Sequence, residues 1–112
     1  QRLSQHALVV LLSSLEAVSH DQALTDVLAM IAHKHTLIFA SAINPQIEQM
    51  SHERDNADLA YQAAAAERTL LETNQARSQL KRLGIEVVES APATLAPALA
   101  DTYLALKAAG RL

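Results

Sequence analysis

Cysteine is absent from this sequence, and its absence excludes both a disulfide framework and a thiolate metal site. Glycine is almost absent: Gly84 and Gly110 are the only two, and both positions fit helix ends, so no glycine-rich loop can cradle a phosphate. Aromatic residues make up 3% of the chain, so leucine, alanine, valine and isoleucine must build the core. No apolar run approaches the roughly 18 residues that suggest a membrane-spanning helix.

An excess of charge of one sign is also lacking, because nine basic residues face twelve acidic ones and the net charge is −3. The longest basic run is the pair Lys81-Arg82, which argues against nucleic acid or an anionic membrane as the main partner. The composition, 50% hydrophobic and 19% charged, is that of a folded globular domain. A chain without cysteine fits a reducing compartment, and we expect a cytoplasmic location with no membrane contact by these residues.

Three short apolar runs, at 7–12, 36–40 and 85–89, predict β-strands. The first run contains six consecutive apolar residues, which is typical of a strand buried on both faces in the interior of a parallel sheet. The third run alternates apolar residues with Glu86 and Glu89, so we expect it at an edge of the sheet.

Apolar residues three and four apart predict a helix between or after these strands at about 21–35, 58–83 and 94–109. Residues 13–20 are expected to form a polar loop before the first helix, and Ser19 and Gln22 have the spacing of a capping box. In the last helix we expect Tyr103 to face inward together with the leucines.

The order β-α-β-α-β-α predicts an α/β fold of three layers, with a parallel sheet of three strands and right-handed crossovers. Such an arrangement is half of a doubly wound, Rossmann-like domain. Because the most apolar strand belongs at the centre of a sheet, we expect further strands before residue 1 to pair alongside the first one. The chain begins without an initiator methionine or a signal peptide, so we expect residues 1–112 to be a single fragment of a longer protein.

Several pieces of the chain share their order and spacing with a known family. They are an apolar strand ending in Ser-Ser-Leu-Glu at 8–16, Ala-His-Lys-His before a strand at 32–40, the turn Asn44-Pro45, the helix-to-strand junction at 80–85 and the closing helix at 95–112. Together they resemble the C-terminal half of the von Willebrand factor A-like domain in the bacterial domain-of-unknown-function family number fifty-eight. In that family the strand ends in Thr/Ser-Asp-Leu-Glu, the second piece reads Ala-Arg-Arg-His, and the turn reads Asp-Pro.

The resemblance implies a von Willebrand A-like fold and a non-catalytic protein–protein interaction module, not an enzyme. Relatives in the family are often encoded with MoxR-type AAA+ ATPases, which implies a role with such an ATPase in the assembly or maturation of other proteins. It also implies a full-length protein anchored to a membrane through upstream segments. Two alternatives stay open: the C-terminal half of a metal- or small-molecule-dependent α/β enzyme, and a purely structural scaffold.

The carboxyl ends of the predicted strands carry the candidate interaction residues, because parallel sheets gather ligands at that edge; they are Ser13, Ser14, Glu16, Asn44 and Glu89. By the resemblance, Ser14 occupies the position of an aspartate that helps to bind a divalent metal in von Willebrand A domains. Serine is only a weak neutral ligand, and the Asp-x-Ser-x-Ser loop of those domains is absent from these residues. We therefore expect a hydroxylated turn, with no metal, no cofactor and no catalytic residue.

Two histidines form a His-x-His pair, His33 and His35, near the end of the first predicted helix. Imidazoles two residues apart at such a position point away from each other. We expect one of them to act as a cation at the helix end rather than as a zinc ligand.

The first strand also predicts self-association. In this fragment its apolar edge would be left unpaired, and an unpaired edge is a template for pairing with a second copy of the chain.

Overall fold

The computed structural model describes residues 6–43 and 57–112, so the predicted site residue Asn44 and the turn at Pro45 lie outside the described residues. Three parallel strands form one sheet in the order β1-β2-β3; they are β1 (Leu8–Ser13), β2 (Thr36–Ala42) and β3 (Glu86–Ser90). The helices are α1 (Leu15–Ser19), α2 (Gln22–Lys34), α3 (Ala57–Arg82) and α4 (Leu95–Ala108), with a 3₁₀ turn (Pro92–Thr94) before α4. The predicted α/β fold with an all-parallel, three-stranded sheet is confirmed.

Helices cover both faces of the sheet and give three layers. On one face α1, α2 and α3 pack against the strands, and the buried core there consists of Leu15, Val18, Leu28, Leu37, Phe39, Ala76, Leu80 and Ile85. On the other face α4 packs over a smaller cluster of Ile38, Val88 and Leu106. Successive side chains of a strand point to opposite faces, which is why neighbours such as Ile38 and Phe39 belong to different clusters.

The first strand lies at an edge of the described sheet, and β2 is the central strand. The prediction that the first strand is buried on both faces is wrong for the described residues, since Val10 is 47% exposed and Leu12 66%. The physical reason is the position of α4, which contacts β3 and β2, while only Leu8 of the described β1 packs against the cluster beneath it. The pairing of the first strand with further strands before residue 1 stays a prediction. The prediction that the third strand is an edge strand is confirmed.

The predicted loop at 13–20 contains the short helix α1. Ser14 caps this helix, because its Oγ accepts a hydrogen bond from the Ala17 N–H at 3.1 Å. The predicted capping box is wrong, because the Ser19 hydroxyl donates to the Glu16 carbonyl at 2.7 Å. The N-cap of α2 is Asp21 instead, and its Oδ1 accepts a hydrogen bond from the Leu24 N–H at 3.1 Å.

The long helix α3 packs against the larger core cluster through Ala76 and Leu80, and its Ala63 and Ala66 are also buried. Gly84, with φ of +83°, follows the helix in the left-handed conformation that its missing side chain allows. Tyr103 is 40% exposed, contrary to the prediction, because it lies about 60° around α4 from the buried Leu106. None of the described helices is long and apolar enough to cross a membrane.

Candidate functional site

A polar row crosses the sheet at its carboxyl end. The strand register places Ser13 beside Ser41 and Ser41 beside Glu89. All three side chains point to the face covered by α3, because each follows by two residues a side chain that packs in the larger core cluster. The sheet thus brings together two of the predicted site residues and one serine that was not predicted.

An arginine of α3 closes one end of this row. Arg77 makes two hydrogen bonds to the Glu89 carboxylate, from Nη2 to Oε1 at 2.6 Å and from Nε to Oε2, and its Nη1 donates to Asn74 Oδ1. The two paired side chains are 27% and 23% exposed. The hydrogen bonds from Arg77 to Glu89 raise the pKa of Arg77, against the opposite effect of burial. Since both carboxylate oxygens accept from the guanidinium, Glu89 is held in place and its charge is compensated.

A cavity of about 290 Å³ opens between the polar row and α3, at the low end of the range for small-molecule pockets. Its charged and hydroxyl-bearing lining residues are Ser14, Glu16, Ser41, Thr69, Thr73, Arg77 and Glu89. Its apolar lining residues are Leu15, Ala42, Ile43 and Leu70. The part of the lining that the structure describes is therefore mixed in character, with one positive and two negative side chains.

The hydroxyl groups of the cavity differ in the hydrogen bonds that they already make. Thr69 donates to the Ala65 carbonyl at 3.2 Å and Thr73 to the Leu70 carbonyl at 2.9 Å, so their oxygens can still accept. Ser41 is only 6% exposed, yet its hydroxyl has no hydrogen-bond partner among the described residues. The hydroxyl oxygen itself is accessible, because no enclosed side-chain oxygen or nitrogen of the described residues lacks a hydrogen-bond partner; Ser41 lines the cavity, so its hydroxyl is open to it.

The structure places the predicted site residues as follows. Ser14, Glu16 and Glu89 line the same cavity, and Ser13 lies in the polar row but not in the cavity wall. Sequence reasoning missed Ser41 and Arg77. The position of Ser41, directly after the apolar run at 36–40, is the same signal that identified Ser13. Arg77 has no such signal, because it lies inside a helix and only tertiary packing brings it to Glu89.

The amino end of the sheet carries a second polar cluster, which is closed on itself. His6 Nε2 lies 2.6 Å from Thr36 Oγ1, and the Thr36 hydroxyl donates to the Arg111 carbonyl at 3.0 Å. The Arg111 side chain reaches Glu86 Oε1 at 3.3 Å. His35 Nδ1 accepts a hydrogen bond from the Ala7 N–H at 3.0 Å.

No group of three or more histidine, aspartate or glutamate side chains in 6–43 and 57–112 is arranged to hold a metal ion. Of the predicted His-x-His pair, His33 is exposed in the last turn of α2, and His35 accepts a hydrogen bond from the Ala7 N–H.

Comparison of the chain with protein-family models, with curated proteins and with solved structures found no match. The fold and the site define an α/β domain with a parallel sheet and a small mixed cavity at the carboxyl ends of its strands.

Proposed function

We propose that this chain is a non-catalytic protein–protein interaction module, part of a von Willebrand A-like domain, that works with a MoxR-type AAA+ ATPase in the assembly or maturation of other proteins. The observation that carries the proposal is the cavity at the carboxyl end of the sheet, which is lined by the exposed Glu16 and by the hydroxyl-bearing Ser41. Such a cavity suits the insertion of a side chain from another polypeptide. The family resemblance over 8–16, 32–40, 44–45, 80–85 and 95–112 supports the same function.

Binding is favoured over catalysis because two groups of the site that could react, Ser14 and Glu89, are committed to structural contacts. A serine nucleophile needs an adjacent base, whereas the Ser14 oxygen accepts from the Ala17 N–H at 3.1 Å and caps α1. The Glu89 carboxylate is paired on both oxygens with Arg77. The alternative, half of a metal- or small-molecule-dependent enzyme, needs a catalytic loop outside residues 1–112.

The proposal is tested by measuring the affinity of the chain for the MoxR-type ATPase of the same organism by biolayer interferometry. We expect Glu16→Lys, which reverses a charge in the cavity lining, to weaken binding about tenfold, or roughly 1.4 kcal/mol. Asp101→Lys is the matched control, because it reverses an exposed charge on α4, on the other face of the sheet, and should change the affinity less than about twofold.

Absence of binding to the ATPase would contradict the proposal in its present form. Equal weakening by both substitutions would also count against it, because the effect would then come from net charge and not from the cavity. Thermal denaturation followed by circular dichroism checks that both variants are folded.

We also propose that the chain self-associates through the outer edge of β1. That edge runs over Leu8–Ser13 and contains neither charge nor proline, whereas the opposite edge strand, β3, carries Glu86 and Glu89. Charged residues on an edge strand discourage pairing with other chains, and the unprotected edge of β1 favours antiparallel pairing about a two-fold axis.

Sedimentation equilibrium at micromolar concentration tests this pairing. We expect Leu12→Lys to shift a dimer to monomer, while Met30→Lys leaves it unchanged; the two side chains are 66% and 68% exposed, but Met30 lies on α2. A wild-type chain that sediments as a monomer at these concentrations contradicts self-association.

A further inference from the structure

The hydroxyl of Ser41 indicates that the cavity receives a ligand with hydrogen-bonding groups. This side chain is 6% exposed, points to the α3 face of the sheet and lines the cavity, and has no hydrogen-bond partner among the described residues. The oxygen is not enclosed by the protein, since no buried side-chain oxygen or nitrogen of the described residues lacks a partner. The Ser41 hydroxyl is therefore open to the cavity and free to donate to a ligand or to accept from it.

The hydrogen-bonding groups that remain available in the cavity are mainly acceptors. The hydroxyl protons of Thr69 and Thr73 are used on main-chain carbonyls, which leaves their oxygens as acceptors. Glu16 adds a carboxylate that has no partner among the described residues. These groups therefore match a ligand that is rich in donors.

The charge of the lining favours a cation. Among the described residues of the lining, two carboxylates, Glu16 and Glu89, and one guanidinium, Arg77, give a net charge of −1. Arg77 repels a cation only weakly, because the Glu89 carboxylate is bonded to it through both oxygens. Glu16, at the exposed side, leaves one negative charge uncompensated.

The apolar lining and the volume limit the shape of the ligand. Leu15, Ile43 and Leu70 form an apolar wall beside the hydroxyl groups. A cavity of about 290 Å³ has room for a small group and not for a large cofactor. An aliphatic stem ending in an ammonium group combines three donors, a positive charge and an apolar body.

We propose that the cavity binds the side chain of a lysine residue of the partner protein, with the ammonium group among Ser41, Thr73 and Glu16 and the stem along the apolar wall. The inference rests on the proposed function, since it names the chemistry by which the partner is held. It makes no use of a metal ion or a reaction.

The probe for this inference is Nα-acetyl-lysine methylamide, titrated into ¹⁵N-labelled chain and followed by NMR. We expect a dissociation constant on the order of 1–10 mM for so small a ligand. Nα-acetyl-norleucine methylamide, which keeps the aliphatic stem and lacks the ammonium group, should bind at least about tenfold more weakly.

Two substitutions and two matched controls locate the binding. Ser41→Ala and Glu16→Gln should each weaken the lysine derivative by about fivefold. Ser78→Ala and Asp101→Asn, which change exposed residues of the same two types away from the cavity lining, should leave the affinity within about twofold. Equal binding of the norleucine derivative, unchanged affinity in Ser41→Ala, or no saturable shift at 50 mM probe would overturn the inference.

A competition experiment separates failure of this inference from failure of the proposed function. At saturating concentration the lysine derivative should displace the bound ATPase, and the norleucine derivative should not. If the ATPase binds in a Glu16-dependent manner and the lysine derivative neither binds nor competes, the function stands and the lysine inference is wrong. If the lysine derivative binds but the ATPase does not, the cavity chemistry stands and the proposed function is wrong.

Discussion

The two ends of the sheet each carry a cluster of polar side chains, and the clusters differ in whether their groups are satisfied. At the amino end Thr36 accepts from His6 and donates to the Arg111 carbonyl, and the Arg111 side chain pairs with Glu86. At the carboxyl end the Ser41 hydroxyl has no partner among the described residues, and it faces an open cavity.

The difference indicates separate roles for the two ends. The contacts at the amino end join residues that are 30 and 75 positions apart in the chain, so they fasten the start of β1 and the residue after Gly110 to β2. A cluster whose groups satisfy each other stabilises the fold, while a cluster with unused groups is available to a ligand. The amino end is therefore the structural end in this account, and the carboxyl end is the binding end.

The largest expected effect on stability comes from the ion pair at the binding end. Arg77→Met leaves the partly buried Glu89 carboxylate without its guanidinium and should lower the free energy of unfolding by about 2 kcal/mol. Arg111→Met removes a pair that is 51% and 39% exposed, so it should cost less than about 0.5 kcal/mol. Urea denaturation followed by circular dichroism measures both; equal losses would mean that the Arg77 pair is no more structural than a surface contact.

A smaller loss of stability, without a loss of affinity for the lysine derivative, is expected when a hydroxyl at the amino end of the sheet is removed. Thr36→Val removes a hydroxyl that makes two hydrogen bonds at the amino end, and it should lower the free energy of unfolding by about 1 kcal/mol. Its affinity for the lysine derivative should stay within about twofold of wild type. The matched change at the other end, Thr73→Val, should weaken the lysine derivative instead. If Thr36→Val lost its affinity for the lysine derivative, the assignment of binding to the carboxyl end alone would be wrong.

The smallest effect on stability is expected at Ser41. Ser41→Ala removes a hydroxyl without a partner, so the free energy of unfolding should change by less than about 0.5 kcal/mol, in either direction. Ser14→Ala removes the N-cap of α1 and should cost about 1 kcal/mol. Thermal unfolding of both variants measures these changes in stability. A larger loss of stability in Ser41→Ala than in Ser14→Ala would show that the Ser41 hydroxyl is structural.

Much of the sheet was predictable from the sequence, because continuous apolar runs marked all three strands and their order implied parallel pairing. The rule that ligands gather at the carboxyl ends of parallel strands predicts Ser14, Glu16 and Glu89 as site residues, and all three line the cavity. The coverage of β1 was not predictable, since the apolar character of Val10 and Leu12 says nothing about where α4 docks.

The parts of the site that sequence reasoning missed depend on tertiary packing. Arg77 meets Glu89 only because α3 docks across the sheet, and no spacing in the sequence records that contact. Ser41 entered the site because β2 extends to Ala42, two residues past the end of the predicted strand. The helix α1 was missed because Ser14 was interpreted as a turn residue, whereas its oxygen caps the helix.

The most direct test of the binding end is the location of NMR shifts when Nα-acetyl-lysine methylamide is added to the labelled chain. The account predicts saturable shifts at the backbone amides of Ser14, Ser41 and Thr73, with none of comparable size at Thr36 and Glu86. Shifts concentrated at the amino end of the sheet would contradict it.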